Sequence, residues 1–202
     1  PAQYDAKAEW TARQIDLLDA DVIAFQEIFS QAALRDVLSR TRRYREAVQA
    51  GYDAADAAGR MLPTVALVSR LPLAGAGVAW TNFPAGVSVS AEDNTCRFAR
   101  APLHVQVILP GGQLTDVVVV HLKSRRPDYR HGDGSDAAAY ALANLRSLQR
   151  RGAEAVALRV LASELGHSSR PRIVLGDFND IANAVTTAIV MGAGAPCEPG
   201  ME

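Results

Sequence analysis

Four consecutive valines near the middle of the chain constrain its fold most strongly. Residues 117–120 form an unbroken β-branched run, which is typical of a strand buried on both faces. Another apolar segment, residues 104–109, precedes this run. The Pro-Gly-Gly-Gln sequence at residues 110–113 predicts a hairpin between the two. The chain therefore has to build a sheet with an antiparallel component.

Segments with helical periodicity lie on both sides of this hairpin. Apolar spacing and helix-forming residues predict helices over residues 4–18, 31–39 and 137–165, the last one helix or a helix broken at Gly152. Short apolar runs predict strands over residues 21–27 and 172–175 and several more between residues 63 and 109. Glycines and prolines from Gly192 onward predict a loop-like tail. The mixture indicates an α+β fold.

Length and composition exclude several classes of protein. The chain has 202 residues, 49% hydrophobic and 21% charged, which fits one globular domain and excludes disorder. A net charge of −1 excludes a uniformly basic surface. Cys96 and Cys197 form no paired motif, so neither a disulfide framework nor a cysteine zinc site is expected. The longest apolar stretch, residues 182–195, is too short for a membrane span, so we expect a soluble protein.

An Asp-x-Asn pair follows the last predicted strand. Asp177 and Asn179 are two residues apart, so their side chains share one face if strand geometry persists that far. A carboxylate and an amide there could hold a hydrated cation, or a phosphate with its attacking water. The alternative is an Asx-rich turn with no chemistry.

Other polar residues end predicted strands. Glu27 ends one strand, where a carboxylate must be solvated, paired or bound to metal. His121 ends the valine run, and Lys123 would share its face, so both could reach an anion. Arg100 would share a strand face with Phe98. Each of these residues also has an ordinary structural explanation.

Four segments taken together resemble the endonuclease/exonuclease/phosphatase superfamily, which includes deoxyribonuclease I and inositol polyphosphate phosphatases. The resemblance spans residues 4–180 and implies a four-layered α/β/β/α sandwich. The segments are Phe25-Gln-Glu27, Phe98-Ala-Arg-Ala-Pro102, His121-Leu-Lys-Ser124 and Leu175-Gly-Asp-Phe-Asn179.

The resemblance also implies roles for these residues. Glu27 is similar to the family's magnesium ligand, where Mn²⁺ or Ca²⁺ could substitute, and Arg100 is similar to an arginine that contacts the substrate phosphate. Lys123 is a further candidate for phosphate binding. His121 resembles a catalytic histidine. Asp177 and Asn179 resemble the pair that orients the attacking water and the phosphoryl oxygens.

Two features of the family are not found in the 202 residues: an asparagine on a first strand, and a C-terminal aspartate–histidine pair. We therefore expect residues 1–202 to form a single domain of the family that lacks the first strand and the C-terminal part. That histidine is the family's usual general base, which makes inactivity of the isolated chain an alternative.

The substrate is predicted from the Arg100 segment and from local charge. Residues 121–151 carry seven lysines and arginines against three aspartates, a local charge of +4, which favours a polyanion. The prediction is a magnesium-dependent nuclease. The alternatives are a phosphatase or phospholipid phosphodiesterase of the same superfamily, and a non-catalytic binding module. An ordinary solvated loop would also explain the charge.

The excess of arginine over lysine, 19 against 2, is typical of GC-rich bacterial sequences. Protein partners and the compartment, cytoplasmic or secreted, stay open.

Overall fold

The computed structural model describes residues 2–90, 95–167 and 170–192. Contacts divide the chain into two compact units. The first comprises Pro1–Trp80, Arg100–His121 and Ser168–Gly176, and the second comprises Thr81–Ala99, Leu122–His167 and Asp177–Glu202. Each unit therefore depends on segments that are far apart in the sequence.

Helices and strands are mixed along the described residues, with several strands in succession at the centre, as the sequence predicts. The helices are α1 (Ala2–Leu18), α2 (Gln31–Ser39), α3 (Ala137–Glu164), a 3-10 turn (Leu165–His167) and α4 (Val185–Met191). The strands are β1 (Val22–Ile28), β2 (Val48–Gly51), β3 (Ala54–Ala55), β4 (Met61–Leu62), β5 (Thr64–Ser69), β6 (Val78–Ala79), β7 (Leu103–Ile108), β8 (Leu114–His121) and β9 (Arg172–Asp177).

The predicted central hairpin is confirmed. β7 and β8 pair antiparallel, with Leu103 opposite Val119 and Ile108 opposite Leu114. They belong to a four-stranded sheet of order β6-β7-β8-β9. Asp116 N–H donates to the Pro171 carbonyl, and Leu122 N–H donates to the Asp177 carbonyl. Residue numbers thus increase in the same direction along both strands. β8 and β9 are therefore parallel, and the long α3 segment connects them.

The other large sheet has the order β1-β5-β2, and both pairings are antiparallel. Its central strand, β5, is buried along its whole length. The two large sheets face each other across the core of the first unit, because alternate side chains of each sheet point inward. This core contains Ala50, Val65, Leu67, Leu103, Val105, Val107, Val117 and Val119.

Two helices cover the other face of the β1-β5-β2 sheet. Ala8, Ala12 and Ile15 are the buried residues of α1, and their helical spacing gives α1 one inward face. The layer between helices and sheet contains Ile15, Ile23, Leu34, Leu38, Tyr44, Ala66 and Val68. The first unit therefore has the layer order α/β/β.

The second unit contains α3 and α4, which pack against each other. Asp136 caps α3 by accepting a hydrogen bond from Ala139 N–H at 2.8 Å, and the helix runs through Gly152 without a break. The sequence pattern did not predict α4. Its β-branched residues have weak helix propensity, so packing against α3 stabilises this helix. The predicted tail beyond residue 192 lies outside the described residues.

None of the helices within residues 2–90, 95–167 and 170–192 combines the length and apolar character that a membrane span needs.

Gly176 allows β9 to approach β8 closely, just before the predicted Asp-x-Asn pair. Its φ angle is 138°, in the region that side chains other than glycine rarely adopt. A Cβ atom added at this position would lie 2.1 Å from the Val120 carbonyl oxygen. Backbone atoms cannot move aside as a flexible side chain could, so this position requires glycine.

We expect Gly176→Ala to lower the free energy of unfolding by more than about 2 kcal/mol, because it combines backbone strain with a steric clash. Gly152→Ala is the matched control. Its added methyl meets nothing within 4 Å, and in a helix it should raise stability by about 1 kcal/mol. Urea denaturation measures both. Similar effects of the two substitutions would contradict the proposed close approach.

Candidate active site

Glu27 occupies an irregular position near the end of β1. The pairing between β1 and β5 shifts register between Gln26 and Ile28, so Glu27 is the extra residue of a β-bulge. Its φ angle is 59°, and its side chain is exposed. Left-handed backbone at a residue other than glycine is strained and is often found at functional sites. The bulge turns the carboxylate toward solvent at the position where the sequence predicted a metal ligand.

A buried polar network supports this bulge. The Thr64 hydroxyl donates to the Ile28 carbonyl at 2.8 Å, and Thr64 itself is only 1% exposed. The Gln31 side-chain amide donates to the Tyr52 carbonyl at 3.2 Å, and Gln49 donates to the Gln31 side-chain oxygen at 2.6 Å. Sequence analysis missed Gln31 and Thr64. Their only local signal is polarity next to a buried strand.

The ligands available with Glu27 bear on which cation could bind there. No group of three or more His, Cys, Asp or Glu side chains able to hold a metal occurs within the described ranges. Structural zinc sites need such a group, whereas Mg²⁺ keeps several of its waters and is usually held by one or two carboxylates together with substrate phosphates. A single exposed carboxylate therefore fits Mg²⁺ better than it fits a metal held in a cage of protein ligands.

Arg100 and His121 lie together in the first unit. The Arg100 guanidinium Nε donates to the His121 carbonyl at 2.9 Å. The predicted strand position of Arg100 is wrong, because residues 99 and 100 form a bend before β7. His121 ends β8 as expected and is buried. β8 and β1 also contact each other, so the strands that carry His121 and Glu27 are neighbours.

A tyrosine holds the residue after Arg100. The Tyr52 hydroxyl donates to the Ala101 carbonyl at 2.6 Å. Burial raises the pKa of Tyr52 to about 12, although the nearby Arg100 guanidinium opposes the shift. Tyr52 therefore remains protonated, and remains a donor, throughout the physiological pH range. This contact fixes the bend that presents Arg100.

Asp177 and Asn179 lie together in the second unit, but not as two residues of one strand face. β9 ends at Asp177, and Asn179 adopts a φ angle of 52°. The Asp177 carboxylate accepts the Asn179 N–H at 2.8 Å, which forms an Asx turn. The Asn179 side-chain amide donates to the Leu122 carbonyl at 2.8 Å. A turn rather than strand periodicity therefore relates Asp177 to Asn179.

Lys123 does not continue the face of His121, because β8 has already ended. Its backbone N–H donates to Glu154 Oε2 at 2.7 Å. Its ammonium lies 3.2 Å from the Arg126 carbonyl and 3.4 Å from the Ser124 carbonyl, within its own loop. A role in phosphate binding would require the ammonium to exchange these carbonyls for a phosphate oxygen.

Two buried carboxylates that sequence analysis did not single out support the second unit. Glu154, on α3, is fully buried and accepts backbone N–H groups from Ala99 and Lys123. Asp180 follows the Asx turn and accepts from the Thr186 hydroxyl at 2.6 Å and from Arg151 at 3.0 Å. Apart from their charge, neither has a local sequence signal, because their partners are distant in the chain.

Asp180 anchors the turn to both helices of the second unit. Burial alone would raise the pKa of its carboxyl. The Thr186 hydroxyl and the Arg125 and Arg151 guanidiniums outweigh burial and hold that pKa well below its usual range. Asp180 is therefore charged at neutral pH. It lines a cavity of about 460 Å³ between α3 and α4.

Ion pairs account for much of the predicted basic patch. Two acids that neutralise it, Glu154 and Asp180, lie outside residues 121–151, so counting charge in that window overstated the positive potential. The pairs join Arg125 and Arg151 to Asp180, Arg146 to Asp133, and Arg150 to Glu154.

The structure thus forms two groups of predicted site residues. Arg100 contacts His121 in the first unit, which also contains Glu27. In the second unit, Asp177 and Asn179 form one turn, and both contact the backbone of Leu122, the residue before Lys123. Carboxylates can hold a divalent cation and guanidiniums can bind phosphate oxygens, which is side-chain chemistry suited to phosphoesters.

Comparison with known proteins identifies the family. The sequence model of the Endonuclease/Exonuclease/phosphatase family matches residues 3–194. The chain therefore belongs to this family, whose members are hydrolases that act on phosphoester bonds and generally use divalent metals. A search of curated proteins gave no significant match.

Several solved structures share the fold. Beta toxin from Staphylococcus aureus is 16% identical, with a TM-score of 0.57, over 95% of this chain and 64% of its own. The human nocturnin catalytic domain is also 16% identical, with a TM-score of 0.57, over 90% of this chain and 60% of its own. A mannosyl-6-phosphatase from Bacteroides thetaiotaomicron is 13% identical, with a TM-score of 0.55, over 95% of this chain and 63% of its own. The chain thus spans less than two thirds of these proteins.

These similarities confirm the predicted α+β, deoxyribonuclease I-like fold class. At such low identities they establish the fold and carry no information on substrate.

We expect Asp180→Asn to lower the free energy of unfolding by about 3 kcal/mol at pH 7, because it leaves Arg151 without its buried counter-charge. A carboxyl whose pKa is depressed in the folded state stabilises the fold above its unfolded pKa of about 3.9. This contribution is lost as the pH falls toward the lower folded value. The difference in free energy of unfolding between wild type and variant should therefore become smaller below about pH 4.

Denaturant unfolding at a series of pH values measures this difference. Asp5→Asn is the control, because Asp5 forms an exposed ion pair with Arg40 and should change stability by less than about 1 kcal/mol. A stability difference for Asp180→Asn that does not vary with pH would show that the charge of Asp180 does not stabilise the fold.

Proposed function

We propose that this protein is a magnesium-dependent phosphodiesterase that cleaves nucleic acid, and that residues 1–202 belong to its catalytic domain. The observation that carries the proposal is the Asp177–Asn179 turn, which is hydrogen-bonded to the backbone directly after His121. A phosphodiester is anionic and repels an attacking hydroxide. Catalysis therefore needs a group that orients water beside groups that neutralise the developing charge.

Asp177 is suited to orienting the water. Its carboxylate is exposed, and the Asx turn occupies Oδ1 with the Asn179 N–H. A carboxylate can accept several hydrogen bonds at once, including one from a nucleophilic water. The Asn179 amide uses one N–H on the Leu122 carbonyl, and an amide nitrogen carries a second N–H for a phosphoryl oxygen.

Arg100 and His121 are proposed to act on the phosphate. The Arg100 guanidinium Nε donates to the His121 carbonyl, and a guanidinium carries five N–H donors in a planar fork that matches phosphate oxygens. The same contact couples the position of Arg100 to the end of β8. We assign a catalytic role to His121 and a secondary phosphate contact to Lys123.

Glu27 is proposed to hold the divalent cation, which when bound would neutralise charge on the phosphate oxygens. The strained bulge and the network behind it hold the backbone at Glu27, whose side chain is exposed. Rigid placement matters here because one protein carboxylate supplies most of the specific binding.

Small phosphoesters are the second candidate substrate class, and the ion pairs of the basic loop favour it. With Arg125, Arg146 and Arg151 paired to carboxylates, this loop offers less positive potential to a long polyanion than its sequence suggests. Arg126 is exposed and supports the nucleic-acid proposal.

Cleavage of supercoiled plasmid by the full-length protein, with Mg²⁺ and with EDTA, tests the proposed function beside a phosphate-release assay on small phosphoesters. We expect nicking that requires Mg²⁺. Phosphate release without nicking would move the assignment to the phosphatase branch, and release of a headgroup from phospholipid vesicles would move it to a lipid phosphodiesterase. No turnover on any substrate would support a non-catalytic module.

We expect Asp177→Asn to reduce kcat about 100- to 10,000-fold, because this is the typical effect of losing a general acid–base group. The fold should survive because Asp177 is exposed and an asparagine oxygen can still accept the Asn179 N–H. Asp5→Asn provides the same chemical change on an exposed aspartate and should retain full activity. Steady-state kinetics with circular dichroism measure both. Full activity of Asp177→Asn would refute the proposed role.

Glu27→Gln should raise the Mg²⁺ concentration for half-maximal activity by at least about 10-fold, because the amide is a weaker and uncharged ligand. Titration calorimetry with Mg²⁺ measures binding without relying on turnover. Glu46→Gln is the matched control, since Glu46 is also exposed and lies outside the proposed site. Unchanged Mg²⁺ affinity in Glu27→Gln would place the cation elsewhere.

A further inference from the structure

The peptide group between Leu122 and Lys123 is held from both sides. Its carbonyl oxygen accepts the Asn179 side-chain amide at 2.8 Å. Its N–H donates to Glu154 Oε2 at 2.7 Å. One rigid planar group thus connects a predicted catalytic side chain to a carboxylate on α3.

Glu154 also holds a separate segment of the chain. Its other oxygen, Oε1, accepts the N–H of Ala99, the residue before Arg100, at 2.9 Å. The carboxylate is fully buried, and the Arg150 guanidinium lies 3.7 Å from Oε1. A buried charge is expensive, so each of these contacts has to offset the cost of desolvation.

The contacts around Glu154 require a carboxylate in particular. Two backbone N–H donors converge on two different oxygens, and a carboxylate accepts at both. A glutamine of the same shape has only one oxygen, and its NH₂ group would face one of the two N–H groups as a second donor. Hydrogen bonds from N–H to carboxylate are also stronger than neutral ones.

We propose that Glu154 is a positioning residue for the site residues of the second unit: through the Leu122–Lys123 peptide it fixes the orientation of the Asn179 side chain. Its bond from Ala99 N–H holds the other carboxylate oxygen in place. The catalytic consequence rests on the proposed function. The positioning itself is a property of the hydrogen bonds and can be measured without turnover.

Hydrogen exchange followed by NMR in the full-length protein tests the positioning directly. In Glu154→Gln, we expect the Lys123 or Ala99 backbone amide to exchange at least about 10-fold faster than in wild type, and the Asn179 side-chain amide resonances to shift. Glu164→Gln makes the same chemical change at an exposed position of the same helix and should alter none of these signals. Unchanged protection at Lys123 and Ala99 would overturn the proposal.

Kinetics test the consequence for catalysis. We expect Glu154→Gln to lower kcat about 10- to 100-fold with little change in KM, under conditions where the variant is folded, since a displaced catalytic group costs about this much. In an Asn179→Ala background, the same substitution should lower kcat by less than about 3-fold, because the group that it positions is already absent. Independent effects of the two substitutions would show that Glu154 does not act through Asn179.

A variant that does not fold and a wild-type protein that has no activity can each be distinguished from failure of the positioning proposal. If Glu154→Gln fails to fold, Glu154→Asp replaces it, since aspartate keeps two acceptor oxygens but withdraws them by one methylene. Intermediate exchange rates are then expected, and wild-type rates would overturn the proposal. If the wild-type protein turns over no substrate, the proposed function fails, whereas the exchange data still decide whether Glu154 positions Asn179.

Discussion

The backbone that follows β8 carries the hydrogen bonds on which the candidate site depends. The His121 carbonyl accepts from Arg100, and the next two residues bond to the Asp177 carbonyl, the Asn179 amide and a buried carboxylate. A peptide plane cannot bend, so each partner on one side restrains the partner on the other. Within the second unit, the Leu122–Lys123 peptide therefore restrains both the Asn179 turn and α3.

Backbone strain is found at one predicted site residue in each unit. Among the described residues other than glycine, Glu27, Asn179 and Asp19 have positive φ angles, and two of these three were predicted as site residues from sequence. Such strained backbone conformations persist only where contacts with neighbouring groups hold them in place. Thr64 and Gln31 do this for the Glu27 bulge, and the Asp177 carboxylate does it for the Asn179 turn.

Strand and helix patterns predicted most of the fold because they reflect local periodicity. The β7–β8 hairpin, α1, α2, α3 and the strands leading to Glu27 and Asp177 all follow the sequence pattern. Extrapolating that periodicity beyond the strand ends failed. Arg100 lies in a bend, and Asp177 and Asn179 are joined by a turn. At strand ends, hydrogen bonds to other segments override the two-residue alternation.

The α+β class, the family and the polar residues at the strand ends can be predicted from the sequence, because they depend on residue order and short-range spacing. How those residues are held depends on tertiary contacts. Glu154 lies 55 positions from Ala99 and 31 from Lys123. Asp180 lies 29 positions from Arg151, whose charge it neutralises. Burial and ion pairing depend on distances in space, which the order of residues does not report.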